Sequence, residues 1–162
     1  MLSDVMFNFI CSECDRSSHD APSMVVSFQA LGAWVKESFE ILVKSNQDIS
    51  VTFSDPVLSR LMGYVWDLWE NSFEGVAHQI REIFDTTVKI YRKLDDLSPP
   101  MTGDSWRVGR RCYALTKFLV ECPWHCKYKF WALATLLAGG VSPDIFTSIN
   151  PDFFLELLQL IG

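Results

Sequence analysis

One segment constrains the fold of this chain more than any other: the stretch from about Gly75 to Asp95, in which apolar residues recur at steps of three and four. At 3.6 residues per turn, this spacing places the recurring side chains on one side of an α-helix. Charged residues take the other side, and Asp85 and Lys89 stand in the favourable acid-first order four residues apart. The sequence therefore predicts a long helix with one buried face, formed by Val76, Ile80, Ile83, Thr87, Ile90 and Leu94.

Similar patterns fill most of the remaining chain, and no stretch of useful length alternates as a β-strand would. Asp55-Pro56 is typical of a helix start, and Gly139-Gly140 is typical of a helix end. The fold class is therefore predicted to be all-α. The other predicted helices are Met24–Lys44, Asp55–Trp69, Trp106–Glu121, Lys127–Ala138 and a short one after Pro151.

The predicted helices also form pairs around short turns, one over residues 57–95 and one over residues 106–139. The two turns lie about fifty residues apart, which is close to the period of HEAT and armadillo repeats. This pattern indicates a HEAT/armadillo-type α-solenoid segment of paired antiparallel helices. A single helical bundle is the alternative, because periodicity alone does not separate the two architectures.

The 162 residues are predicted to form a single helical-repeat segment. Polar stretches at Cys11–Ser23, Ser45–Pro56 and Asp95–Ser105 are predicted to connect the helices, and residues 1–23 to be poorly ordered or a partial helix. Repeat proteins close with a polar capping repeat, whereas the last predicted helix carries an apolar face up to Gly162. We therefore expect a fragment of a larger protein.

Charge is distributed unevenly along the chain, whose formal net charge is −6. Residues 1–80 hold 4 Lys/Arg and 11 Asp/Glu, whereas residues 81–162 hold 10 and 9. Between residues 107 and 129 there are six basic residues and a single acid, Glu121, and the aromatic residues at positions 106, 113, 118, 124 and 128 are interleaved with them. This cluster could contact RNA or a partner, or it could be a solvated helix face. Its basic residues are Arg107, Arg110, Arg111, Lys117, Lys127 and Lys129.

Motifs of catalysis are missing from the sequence: it has no glycine-rich phosphate loop, no HExxH and no GxSxG. We therefore expect a protein that is not an enzyme, with no catalytic residue, no metal and no cofactor. Asp95-Asp96 are interpreted as solvated loop acids. Cys11 and Cys14 with His19, and Cys122 and Cys126 with His125, could hold zinc, but free thiols are the preferred interpretation. The five cysteines, an odd number in two separated groups, are typical of reduced thiols in the cytosol. Since the sequence also shows no signal peptide and no apolar run that could span a bilayer, we expect a cytoplasmic protein without membrane contact.

Several segments together resemble the THADA family of very large helical-repeat proteins. Leu61–Asn71 supplies a Trp-x-x-Trp-Glu helix end, and Gly75–Gln79 supplies a Val-x-His-Gln helix start. Ile90–Arg92 matches the Ile-Tyr-Arg-like end of that long helix. The stretches Arg-Cys-Tyr-Ala-Leu and Lys-Tyr-Lys-Phe in the next pair also look like this family, and the resemblance covers about Val57 to Gly140.

The resemblance implies a function by association. Proteins of this family are non-catalytic partners of an FtsJ-like ribose 2′-O-methyltransferase that modifies the tRNA anticodon loop, and the enzyme supplies S-adenosylmethionine. The family's Arg-Arg-Ser-Ala-Gly-Leu-Pro-like motif is absent, so no functional residue is carried over, and the chain would come from repeats that precede the motif's domain. Weak tRNA contact through the cluster at residues 107–129 is expected. A protein-interaction solenoid in transport or trafficking is the alternative, and an enzyme or zinc module is a third.

Overall fold

The structure, a computed structural model, describes residues 2–17, 21–70, 74–97, 109–122 and 129–161. Every regular element in these ranges is helical, which confirms the predicted all-α class. A 3₁₀ turn at Glu74–Val76 leads into the fourth α-helix. The α-helices are α1 Leu2–Arg16, α2 Ala21–Lys44, α3 Asp55–Glu70, α4 Ala77–Asp96, α5 Arg110–Glu121, α6 Lys129–Ala138, α7 Pro143–Ile149 and α8 Phe153–Ile161.

Helix α4 and the turn before it confirm the strongest sequence prediction. All six residues of the predicted apolar face are buried, and Ile83 and Ile90 are completely inaccessible to solvent. Glu82, Lys89 and Lys93, on the predicted polar face, are exposed. The three- and four-residue spacing therefore fixed both the extent and the rotation of this helix.

Helix α1 overturns part of the prediction for the first residues. Cys11–Ser23 was expected to be a polar connection, but the helix continues through Cys11 and Cys14 to Arg16. Phe7, Cys11 and Cys14 follow one another at steps of four and three, and all three are buried. Because a free cysteine packs as a small apolar residue, these side chains give α1 an apolar face that packs against α2.

Polar contacts also join α1 to α3. The Tyr64 hydroxyl donates to Asp15 Oδ1 at 2.8 Å, and Arg60 Nη2 donates to Asp15 Oδ2 at 3.1 Å. The Tyr64 hydroxyl also lies 3.3 Å from the carbonyl oxygen of Cys11. Burial, above all, raises the pKa of Tyr64, so its hydroxyl keeps the proton that it donates to Asp15.

The chain divides into two compact units, residues 1–90 and residues 91–162. In the first unit, Trp34 of α2 lies between Phe7 of α1 and Phe53, at ring-centroid distances of 4.9 and 5.8 Å. Trp66 of α3 lies 6.3 Å from Phe84 of α4. Large aromatic rings on successive elements therefore fill this core.

In the second unit, α5 packs against both α6 and α7. Gly140 ends α6 with a positive φ of 99°, as Gly139-Gly140 predicted. Helix α7 was not predicted; it begins at Pro143, and the Ser142 side chain accepts a hydrogen bond from the Asp144 amide. Phe146 of α7 and Phe153 of α8 stack at 5.5 Å. The arrangement of helix pairs as HEAT or armadillo repeats stays a prediction.

Candidate nucleic-acid interface

The structure describes four of the six basic residues that the sequence predicted as contacts. Arg107 and Lys127 lie outside the described residues. Arg110, Arg111 and Lys117 all belong to α5, and we refer to these three residues as the α5 basic face. Lys129 opens α6.

Rotation of α5 decides which of its side chains reach solvent. The helix buries Cys112, Leu115, Thr116, Leu119 and Val120. Arg110 and Lys117 are seven residues, about two turns, apart on the opposite side, and both are exposed. Arg111 is half-buried at the edge of the same surface. The amphipathic pattern therefore turns two basic side chains outward and leaves a third beside them.

Lys129 does not belong to this surface. Its side chain is buried, with 1% of the residue exposed. The ammonium group donates to the carbonyl oxygen of Val120 at 3.5 Å and to that of Cys122. The last carbonyls of a helix have no partner within the helix and favour a nearby cation. The prediction that Lys129 contacts RNA is therefore wrong, since the residue caps the end of α5.

At the opposite end of α5, its N-terminus, the backbone amides also bind a side chain from another helix. Asp95, at the end of α4, accepts hydrogen bonds from the backbone amides of Arg111 and Cys112, each at 3.0 Å. Asp95 is half-buried, so its interpretation as a solvated loop acid is wrong. A carboxylate at this position satisfies amides that would otherwise bind an anion. A phosphate would therefore have to be bound by side chains and not by the N-terminus of α5.

Two further residues share the exposed side of α5. Phe118 follows Lys117 and is 49% exposed, although phenylalanine is usually buried. Glu121, the acid that the sequence singled out, is exposed in the last turn of the helix. The sequence showed Phe118 only as one of several aromatic residues between the basic ones, and the rotation of α5 distinguishes it from buried aromatic residues.

Two of the cysteines that the sequence considered as zinc ligands are packed into the interior, and a third, Cys122, is only half-buried. His19, His125 and Cys126 lie outside the described residues, while Cys11, Cys14 and Cys112 are buried. Burial is the main cause that raises the pKa of the Cys14 thiol to about 12, and the same holds for Cys112. In the part of the chain that the structure describes, no three His, Cys, Asp or Glu side chains are grouped so that they could hold a metal ion.

None of the helices within the described ranges combines the length and the apolar character that crossing a bilayer requires.

Comparison with known proteins gives several relatives of the same description. A Gallus gallus protein is 27% identical over 122 residues, which cover 71% of this chain, and a Mus musculus protein is 26% identical over 134 residues, which cover 82%. A Homo sapiens protein is 25% identical over the same length and share. All three are described as "tRNA (32-2′-O)-methyltransferase regulator THADA".

The matched stretch is 6–7% of the length of each of these relatives. No family model and no solved structure matches the chain. The relatives agree with the resemblance that the tryptophan-rich helix end and the Val-x-His-Gln start indicated. The chain is therefore THADA-like, distantly similar over most of its length to a small part of these proteins.

Proposed function

We propose that this chain is a non-catalytic, regulatory scaffold segment that supports tRNA ribose 2′-O-methylation in the anticodon loop by a partner methyltransferase. One observation carries the proposal: proteins described as regulators of tRNA (32-2′-O)-methyltransferase match the chain over 71–82% of its residues. A regulator acts on an enzyme that performs the chemistry. The partner would be the FtsJ-like enzyme that the family resemblance implies, with S-adenosylmethionine bound to that enzyme.

The hydrogen bonds that the buried polar side chains make support a scaffold role. Thr86, Thr87 and Thr116 each donate a hydroxyl hydrogen bond to the carbonyl oxygen four residues earlier. Lys129 and Ser17, the other buried polar residues that the structure describes, donate to carbonyl oxygens at helix ends. These bonds satisfy the buried polar groups within the helices, so the groups have a structural role, which agrees with a scaffold. Buried cysteine thiols agree with the reducing cytoplasm, where we expect the protein to act.

The α5 basic face supplies the part of the proposal that concerns RNA. Arg110 and Lys117 offer exposed positive charge, and within α5 the single acidic residue is Glu121, in the last turn. Phosphate contacts by lysine and arginine give weak binding that falls steeply as salt rises. A surface of this size would orient a tRNA that other parts of the complex hold.

The test replaces Arg110 and Lys117 by glutamate in the full protein that carries this chain. Methylation at nucleotide 32 is measured by mass spectrometry of tRNA from cells that depend on the variant. A matched control, Lys44→Glu/Lys93→Glu, reverses two exposed charges on α2 and α4 and changes the net charge equally. We expect reduced methylation in the α5 variant only. Equal methylation in both variants and in the wild type would contradict an RNA role for the α5 basic face.

Capture of the methyltransferase tests the scaffold claim separately. Affinity purification of the full protein should recover a 2′-O-methyltransferase, and mass spectrometry of the captured proteins identifies it. Failure to recover any methyltransferase under conditions that preserve the complex would contradict the proposed function.

A groove in the first unit favours a second candidate, a general protein-interaction scaffold. The groove, of about 540 Å³, lies between α2 and α4. Acids and lysines line it together, including Lys36, Glu40, Glu82 and Lys89. Mixed charge of this kind suits polar contacts with another protein. Recovery of transport or coat proteins in the same purification, without a methyltransferase, would favour this candidate.

A further inference from the structure

Phe118 is the more exposed of the two aromatic residues of α5, and it lies beside basic side chains. It directly follows Lys117, and it lies two turns beyond Arg111 on the same side of the helix. Ala114, one turn before Phe118, is exposed and small. The ring therefore lies next to a shallow part of the helix surface at Ala114, with positive side chains on either side.

Two kinds of contact are combined on this surface. Exposed lysine and arginine bind phosphate groups of any nucleic acid. An exposed aromatic ring adds a flat face on which a base can stack, and this requires a base that is not already stacked inside a duplex. Basic side chains alone would not distinguish a loop from a duplex, whereas the ring gives such a preference.

We propose that the exposed side of α5 binds an unpaired RNA segment, with a base stacked on Phe118 and phosphates bound by Arg110 and Lys117. Asp95 occupies the amides at the start of α5, so the contacts come from side chains along the helix. Glu121 repels phosphate at the other end of α5 and limits the binding surface to about two turns. This inference rests on the proposed function, in which the substrate RNA presents a loop.

The experiment measures binding of the full chain to two synthetic RNAs, a hairpin with an unpaired loop and a blunt duplex of the same length. Fluorescence anisotropy gives both affinities at several salt concentrations. The variant is Phe118→Leu, which keeps an apolar side chain and removes the aromatic face. Phe9→Leu on α1 is the matched control, since Phe9 is also an exposed phenylalanine.

We expect Phe118→Leu to weaken hairpin binding by at least about fivefold and to leave duplex binding unchanged, because stacking acts on unpaired bases only. A 2-aminopurine in the loop should be quenched by the wild type and by Phe9→Leu, and less by Phe118→Leu. An unchanged ratio of hairpin to duplex affinity in Phe118→Leu would overturn the inference. Far-ultraviolet circular dichroism of each variant confirms that α5 remains folded.

Failure of this inference and failure of the proposed function give different results. If Arg110→Glu/Lys117→Glu lowers methylation while Phe118→Leu keeps the wild-type hairpin preference, the stacking contact is wrong and the function stands. If Phe118→Leu loses the hairpin preference while methylation at nucleotide 32 stays at the wild-type level, the RNA surface is right and its role in methylation is wrong.

Discussion

Removal of the Asp95 carboxylate should destabilise the second unit, although the sequence around Asp95 predicted a solvated loop. Its two oxygens accept the amides of Arg111 and Cys112 at 3.0 Å each. Losing a side-chain cap costs about 0.5–2 kcal/mol, and hydrogen bonds to a charged group lie at the upper end of the range for single bonds. Because the carboxylate is half-buried, we expect Asp95→Ala to cost about 2 kcal/mol. Asp95→Asn should cost about 1 kcal/mol, since one oxygen acceptor remains.

Urea unfolding followed by circular dichroism at 222 nm measures these free energies. The neighbouring Asp96 is exposed, so Asp96→Ala is the control and should change the free energy of unfolding by less than about 0.5 kcal/mol. The same junction can be tested from its other side through Gly109, whose φ is 89°. A methyl group there would overlap the Asp95 side chain, so Gly109→Ala should also destabilise the chain. If Asp95→Ala and Asp96→Ala have equal, small effects, Asp95 does not cap α5.

Three further predictions concern packing, helix propensity and thiol chemistry. Ile83→Ala should lower the free energy of unfolding in urea by about 2–5 kcal/mol, because Ile83 is fully buried. Lys93→Ala, at an exposed position, should change it by less than about 0.5 kcal/mol, and equal effects of the two variants would mean that the rotation of α4 is wrong. Gly63 is exposed inside α3 and a Cβ there would meet no atom within 4 Å, so Gly63→Ala should raise the unfolding free energy by about 0.5–1 kcal/mol, and a lower urea midpoint would refute this. The pKa of Cys14 and that of Cys112 are raised from 9.0 to about 12, so both thiols stay protonated in the folded chain at neutral pH. The contribution of these two thiols to stability should be constant below pH 9 and be lost between pH 9 and 12, and iodoacetamide should label both at pH 8 only after denaturation.

Much of the fold could be predicted because apolar spacing acts locally. The period of three and four residues in α4 predicted a buried face that includes Ile80 and Leu94, and both are buried. For residues 1–23 the sequence predicted only a poorly ordered segment or a partial helix, because the buried positions of α1 include Cys11 and Cys14, whose apolar behaviour depends on what packs against them. Helix α7 was missed because its seven residues are too few for a clear period.

The candidate site was predicted less completely. The sequence grouped Lys129 with Arg110 and Lys117 because all three are basic and close together along the chain. It placed Asp95 in a solvated linker because an Asp-Asp pair close to prolines is typical of loops. In the structure Lys129 and Asp95 both bind backbone groups of α5, one at each end. Grouping basic residues by their distance along the sequence therefore overestimated the exposed basic surface.

By itself, the sequence determined the helical class, the rotation of its long helices and the similarity to THADA proteins, because each of these depends on residue types at short, fixed spacings. Only the tertiary structure decided which charges are exposed. In an isolated helix, the side chain of a lysine or an aspartate is hydrated and flexible. In these two cases it becomes buried where unpaired amides or carbonyls at a helix end replace the hydrogen bonds that it made with water. Those helix ends belong to other elements of the chain, so packing, and not local pattern, separates Lys117, which faces solvent, from Lys129, which caps α5.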